Sequence, residues 1–170
     1  MIRKAAVADA SELGRLHVRS WQQAYTGLLP QSFLDSLDND ERARGWEGVL
    51  TEDGNQTDVL VDEATPDGIV GFACYGPSRD SDAAGSTGEL LAMYYEAGYW
   101  GSGHADDLFE AVRSALSARG MDEMSLWVLF ENRRAIAFYR KHGFVFDGHE
   151  KEQALPGTAV REVRMVRQAT

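Results

Sequence analysis

Cysteine is all but missing from this 170-residue chain. Cys74 is the only one, and histidine occurs four times, widely scattered. No intramolecular disulfide is available, and zinc would have to rely mainly on those histidines, so neither a disulfide framework nor a metal centre is expected. Basic residues are in deficit too: 17 Lys and Arg stand against 27 Asp and Glu, for a formal net charge of −10. That balance disfavours a general nucleic-acid surface or an anionic membrane as partner, because phosphate binding draws on clustered Lys and Arg. A cationic substrate is compatible with it. An anionic cofactor is also compatible, since backbone N–H groups at a helix start hold phosphates without net positive charge. Long apolar runs are absent. The longest, Leu90 to Tyr95, is far too short to span a bilayer, and Asp9 and Glu12 interrupt the stretch a signal peptide would need after Arg3 and Lys4. A soluble, reduced, cytoplasmic protein is expected.

Apolar residues make up 44% of the chain and are mixed with charge throughout, with no repeat, low-complexity tract or linker. One core fits this length, so residues 1–170 read as a single domain. Ile2 to Ala6 suits a short strand. Leu13, Leu16 and Ala24 mark a helix from Asp9, its candidate N-cap, to about Tyr25, where Gly27 and Pro30 stop it. A second helical region covers Gln31 to Leu50, broken near Asp38 and Asn39. Strands follow at Asp58 to Glu63, Ile69 to Tyr75 and Thr87 to Tyr95, with a turn at Pro66-Asp67-Gly68 and a long loop from Gly76 to Gly88. Ala105, Leu108, Phe109, Val112, Ala115 and Leu116 then recur at helical spacing up to Gly120. Ser125 to Phe130 reads as a buried strand, Asn132 to His142 as a helix, and Phe144 to Gly148 and Val160 to Val166 as closing strands. This order fits an α/β or α+β sandwich with about four helices packed on a central sheet.

The chemically informative segment runs from Glu89 through Tyr95 into Gly98-Tyr99-Trp100-Gly101-Ser102-Gly103-His104-Ala105. A strand feeds a glycine turn that opens directly into a helix. Gly101 and Gly103 permit positive φ and close backbone approach, and the free N–H groups at the helix start favour phosphate oxygens. Glycine serving turn geometry alone is the alternative. A Walker loop is excluded, because His104 and Ala105 stand where Lys and Ser or Thr are required, and a dinucleotide fingerprint is disfavoured by Asp106 at its third glycine position.

Trp100-Gly101-Ser102-Gly103-His104-Ala105 resembles the Gln/Arg-x-x-Gly-x-Gly/Ala phosphate loop of the GNAT superfamily of acyl-CoA-dependent N-acyltransferases, with Trp100 in place of the usual Arg or Gln. Asn132-Arg133-Arg134-Ala135-Ile136-Ala137-Phe138-Tyr139, followed by Gly143-Phe144, resembles the family's Asn-x-x-Ala-x-x-Phe-Tyr-x-x-x-Gly-Phe. Trp21 to Tyr25 is similar to a Trp-x-x-Ala-Tyr segment of bacterial members. The resemblance implies a mixed sheet of seven strands splayed between the fourth and fifth, with acetyl-CoA wedged between them. It implies further that the backbone of Met93 and Tyr95 holds the pantetheine arm, that the N–H groups of Gly101, Ser102, Gly103, His104, Ala105 and Asp106 hold the pyrophosphate beside Trp100, and that Asn132 contacts the cofactor. A homodimer is a family-level expectation.

Acetyl transfer requires a neutral amine, an oxyanion donor and an acid for the departing thiolate. Tyr139, seven residues after Asn132 and on nearly the same helix face, fits the acid; its plain alternative is a core aromatic beside Phe138, and that of Asn132 a simple N-cap. The N–H of Met93 is the candidate oxyanion donor. Some relatives carry a basic Glu on the fifth strand, where Trp127 stands here, so Glu89 is the candidate base, acting directly or through water; a solvent-facing strand carboxylate is its alternative. Trp21 and Tyr25 share a helix face and either wall the amine pocket by cation–π contact or pack in the core, and His17 lies on that same face. The reading is an N-acetyltransferase that moves acetyl from acetyl-CoA to a primary amine of a small molecule or peptide in a ternary complex. Its rival is an acyl-CoA-binding sensor without catalysis.

Overall fold

In the computed structural model, which describes residues 1–51, 56–64 and 68–168, the apolar runs become the strands of one sheet. These are β1 (Ile2–Lys4), β2 (Asp58–Ala64), β3 (Gly68–Pro77), β4 (Thr87–Tyr95), β5 (Glu123–Leu129), β6 (Val145–Leu155) and β7 (Thr158–Arg167). Their order is β1-β2-β3-β4-β5-β7-β6. Only β4 and β5 run parallel. The helices are α1 (Ala10–Tyr25), α2 (Gln31–Asp35), α3 (Asn39–Thr51), α4 (His104–Ser117) and α5 (Arg133–Lys141).

Several local expectations need correction. Asp9 precedes α1 but does not cap it: its carboxylate reaches back to the Ala6 N–H at 2.7 Å and is held by both Arg3 Nη atoms at 2.7 and 2.9 Å. The second helical region does break near Asp38 and Asn39 as expected, because the Asp38 carboxylate accepts the Glu41 N–H at 2.7 Å and so starts α3 afresh. The loop expected from Gly76 shortens to 78–86, since β3 extends to Pro77. β6 continues well past Gly148, with a register shift between Phe146 and Glu150. Pro66 and Asp67 of the expected Pro66-Asp67-Gly68 turn lie outside the described residues.

Apolar side chains cover both faces of the sheet. On one, α4 and α5 bury Leu108, Phe109, Leu116 and Ile136 against Met124, Leu126 and Met165; on the other, α1 and α3 bury Leu13, Leu16 and Trp46 against Val59, Val61 and Phe72. α1 and α3 meet at Gly14, where an added Cβ would lie 2.6 Å from the Ala43 nitrogen and 2.8 Å from the Asn39 oxygen. Gly14→Ala is expected to destabilise the fold by about 1–3 kcal/mol through overpacking, although alanine raises helix propensity by about 1 kcal/mol. Urea unfolding checks this, and an unchanged or raised midpoint contradicts it.

The site depends on how β4 leaves β5. The two strands share only the pairs Thr87↔Glu123, Gly88↔Met124 and Glu89↔Ser125. β4 then carries one extra residue, Leu91, because Leu90 faces Tyr75 while Ala92 faces Cys74. Such a bulge bends the strand and inverts which edge its backbone groups address. The Glu96 N–H bonds the Val70 oxygen of β3 at 3.0 Å, so alternation turns the backbone of Met93 and Tyr95 toward the opening gap. β5 meanwhile stays with β7 as far as Leu129↔Glu162.

Candidate active site

The gap between β4 and β5 is a cavity of about 800 Å³, walled by α1, α5 and the β6–β7 hairpin. One end is the glycine turn. Gly101 and Gly103 have φ of 74° and 94°, and Gly103 precedes α4 without a side-chain cap. Among the described residues, no group accepts the N–H of Gly101, Gly103, His104 or Ala105. An added Cβ at either glycine would meet nothing within 4 Å, so the turn fronts open space. Two of the six expected donors are already engaged within the turn. The Ser102 N–H is spent on the Tyr99 oxygen at 3.3 Å, and the Asp106 N–H on the Gly103 oxygen at 3.0 Å.

Side chains around the turn point elsewhere. His104 Nδ1 lies 2.7 Å from Asp62 Oδ2, and the Tyr95 hydroxyl lies 3.1 Å from that oxygen and 2.9 Å from the His104 carbonyl. This buried knot fastens the start of α4 to β2, so His104 offers the gap only its backbone. Asp106, a carboxylate one would expect to repel an anion, is paired outward with Lys141 at 2.6 Å and His142 at 2.8 Å. The Lys141 hydrogen bond holds its pKa below the usual carboxylate value. Trp100 donates its indole N–H to the Tyr95 carbonyl at 3.0 Å, which leaves the Tyr95 N–H as that residue's free group toward the gap. The Arg134 guanidinium lies 3.2 Å above the Trp100 ring. Arg134 thus brings from α5 the positive charge that Trp100 lacks.

Asn132 caps α5, its side-chain oxygen accepting the Ala135 N–H at 3.2 Å, and it also lines the cavity, so capping does not remove it from the gap. Tyr139 lines the same cavity two turns on, packed against Phe138 and Phe144. No described residue hydrogen-bonds its hydroxyl. Burial pushes its pKa up, so the phenol keeps its proton.

The other end is aromatic. Trp21 and Tyr25 meet edge to face at 5.1 Å, and the Tyr25 and Tyr94 hydroxyls are 3.0 Å apart. Desolvation raises the pKa of both tyrosines. Nothing in the sequence singles out Tyr94, whose side chain covers the α1 face of the sheet while those of Met93 and Tyr95 cover the other. Trp21 already has the Arg42 guanidinium 5.5 Å from its ring centroid.

His17 sits among Trp21, Trp46, Phe72 and Tyr94. Burial, aided by Arg42, pushes its pKa down to about 3, so it is neutral and no base near neutral pH. Because the unfolded chain protonates this side chain near pH 6.5, the stability it confers is lost as pH falls from 6.5 toward 3. His17→Phe is expected to flatten the stability profile across that window by up to about 1.4 kcal/mol per pH unit, the worth of one proton. Denaturant titrations at several pH values measure the slope, and an unaltered slope contradicts the assignment.

Glu89 is 2% exposed, not a solvent-facing carboxylate. Both its oxygens are taken by Arg79, through the backbone N–H at 2.9 Å, Nε at 3.3 Å and Nη2 at 3.0 Å. The clamp fixes the carboxylate at the wall of the cavity, which Glu89 lines. Trp127 lines the cavity and donates its indole N–H to Asp80 at 3.0 Å, so this position supplies no carboxylate of its own.

The family model described as "Acetyltransferase (GNAT) family" matches residues 15–144. An uncharacterized N-acetyltransferase of Bacillus subtilis, YuaI, is 30% identical over 143 residues, covering 83% of this chain and 78% of the relative. The spermidine N(1)-acetyltransferase of Thermoplasma acidophilum is 24% identical over 147 residues, covering 84% of this chain and 86% of its own. Among solved structures, the PaiA N-acetyltransferase of Thermoplasma acidophilum in complex with coenzyme A superposes with a TM-score of 0.77 at 19% identity, covering 99% and 98% of the two chains. Together with the parted central strands and the glycine turn, these matches establish that the chain belongs to the GNAT family of acetyltransferases.

Proposed function

We propose that the gap between β4 and β5 holds acetyl-CoA and that a primary amine, entering beside α1 and the β6–β7 hairpin, takes the acetyl group directly. The observation that carries this reading is the pairing, in one cavity, of the unsatisfied N–H groups of Gly101 and Ala105, continued along the same turn by those of Gly103 and His104, with the unpartnered Tyr139 hydroxyl. The N–H groups receive the pyrophosphate, helped by Arg134 over Trp100. The gap-facing backbone of Met93 and Tyr95, with Asn132, aligns the pantetheine, and the Met93 N–H is the donor for the thioester oxyanion. The amine nitrogen bonds the thioester carbon and gives up one N–H proton to water, the C–S bond breaks, and the thiolate takes the Tyr139 proton, which water restores. We take residues 1–170 as one catalytic domain working in the cytoplasm on a small-molecule or peptide amine. Among the described residues, no helix is long and apolar enough to cross a membrane.

With both Glu89 oxygens engaged by Arg79 and His17 too weakly basic at a pKa of about 3, we take the amine to lose its proton to water. Reaching the neutral form at pH 7 costs about 4.6 kcal/mol for a lysine-like amine but about 1.4 kcal/mol for an α-amine of pKa near 8. kcat/KM is therefore expected to rise about tenfold per pH unit up to the amine's own pKa. A plateau starting near pH 6 or 7 for an alkylamine points instead to an enzyme base. A thiol-release screen with acetyl-CoA across alkylamines, amino acids and peptides tests the whole reading. Release of CoA with at least one amine is expected; binding of CoA with no release across the panel makes the protein a sensor.

A further inference from the structure

The amine end of the cavity already contains an ammonium group, that of Lys151. Its Nζ lies 4.1 Å from the centroid of the Trp127 ring and 3.5 Å from Glu162 Oε2. All three side chains line the cavity. Their positions follow from the sheet: Lys151 and Glu162 are cross-strand partners on β6 and β7, and Glu162 faces Leu129, two residues along β5 from Trp127. An aromatic face opposed by a carboxylate is the arrangement that recognises alkylammonium ions.

The other cations near this end are held differently. Arg164, 5.8 Å from the same ring, is buried and bound by Asp80, Asp82 and Asp147. Arg79 grips Glu89 through two side-chain nitrogens and its own backbone N–H. Lys151 has one long ion pair, and its side chain is 46% exposed, so it is free to swing into solvent. An exposed pair of this kind contributes little, which makes its displacement easy.

We propose that Trp127 and Glu162 form a subsite for a second ammonium group on the acceptor, and that Lys151 is its displaceable internal occupant. The acceptors are then di- or polyamines: one nitrogen, neutral, is acetylated near Tyr139, while another, charged, replaces Lys151. This rests on the acetyltransfer reading for the first nitrogen only.

Calorimetric titration of the whole protein with α,ω-diaminoalkanes of three to eight carbons, and with the matching n-alkanols, which carry no ammonium, tests the subsite without needing turnover. Lys151→Gln is expected to tighten binding of the best diamine about fivefold, the factor that about 1 kcal/mol makes, and to leave alkanols within about twofold. Glu162→Gln is expected to weaken diamines by a similar factor. Equal shifts for diamines and alkanols, or no shift in either variant, overturn the proposal. Thiol release measured on the same samples separates the two readings: diamine binding that responds as described but releases no CoA sinks acetyl transfer and leaves the subsite standing.

Discussion

Tyr139→Phe is expected to lower kcat by about 100-fold or more while leaving acetyl-CoA affinity and the melting temperature close to those of the parent, since a positioned proton donor is worth about 10²–10⁴ in rate. The phenol lines the cavity with a hydroxyl that no described residue engages, and its ring packs on Phe138 and Phe144, contacts that phenylalanine keeps. Burial raises its pKa, so it stays protonated through the working range and is ready to give the proton when the thiolate forms. A loss in kcat that shrinks when the leaving thiol is made more acidic identifies the step. Unchanged turnover would remove Tyr139 from the chemistry, and a large drop in melting temperature would return it to the plain role of core aromatic.

Gly103→Ala is expected to weaken acetyl-CoA binding more than tenfold, with kcat at saturation much less affected. Two effects combine. The residue holds φ of 94°, where a Cβ costs about 1–2 kcal/mol, and its methyl group would project into the open space in front of the four free N–H groups. Gly120 supplies the control, since it too has positive φ, 74°, and an open Cβ direction, but it follows the far end of α4. Gly120→Ala should lower stability by a similar amount and leave the dissociation constant of CoA alone. Equal effects of the two variants on CoA affinity would mean that backbone strain, not occupation of the cradle, weakens binding.

What the sequence disclosed was whatever depends on spacing along one element. Thr87–Tyr95 emerges with its expected bounds because turn-forming residues precede it and an apolar run fills it. Asn132 and Tyr139 fall on one helix face because seven residues make two turns. The second half of β6 was not legible: its side chains are nearly all exposed, so no alternation marks it, and only pairing with β7 makes it a strand. The same limit hid the clamp of Arg79 on Glu89 and the cage around Lys151. The first joins the 78–86 loop to β4 and the second joins three strands, and hydropathy encodes neither loop placement nor cross-strand register. His17 stood on the right face but its chemistry did not show, because neutrality there is imposed by Trp46 and Phe72, which come from distant segments.

The opening deficit of basic charge also acquires a location. In the proposed reading the glycine-turn end of the cavity holds the anion with backbone N–H groups and Arg134, so it needs few cations. The acidic excess reaches the amine end as Glu89 and Glu162, each held by an internal cation.

Direct transfer inside one cavity is tested most sharply by a single-turnover experiment with acetyl-labelled acetyl-CoA and excess protein, sampled before and after an amine is added. The label should remain on CoA until the amine arrives and then appear on the amine in step with free thiol. Label carried by the protein beforehand, and discharged when amine is added, would contradict the account.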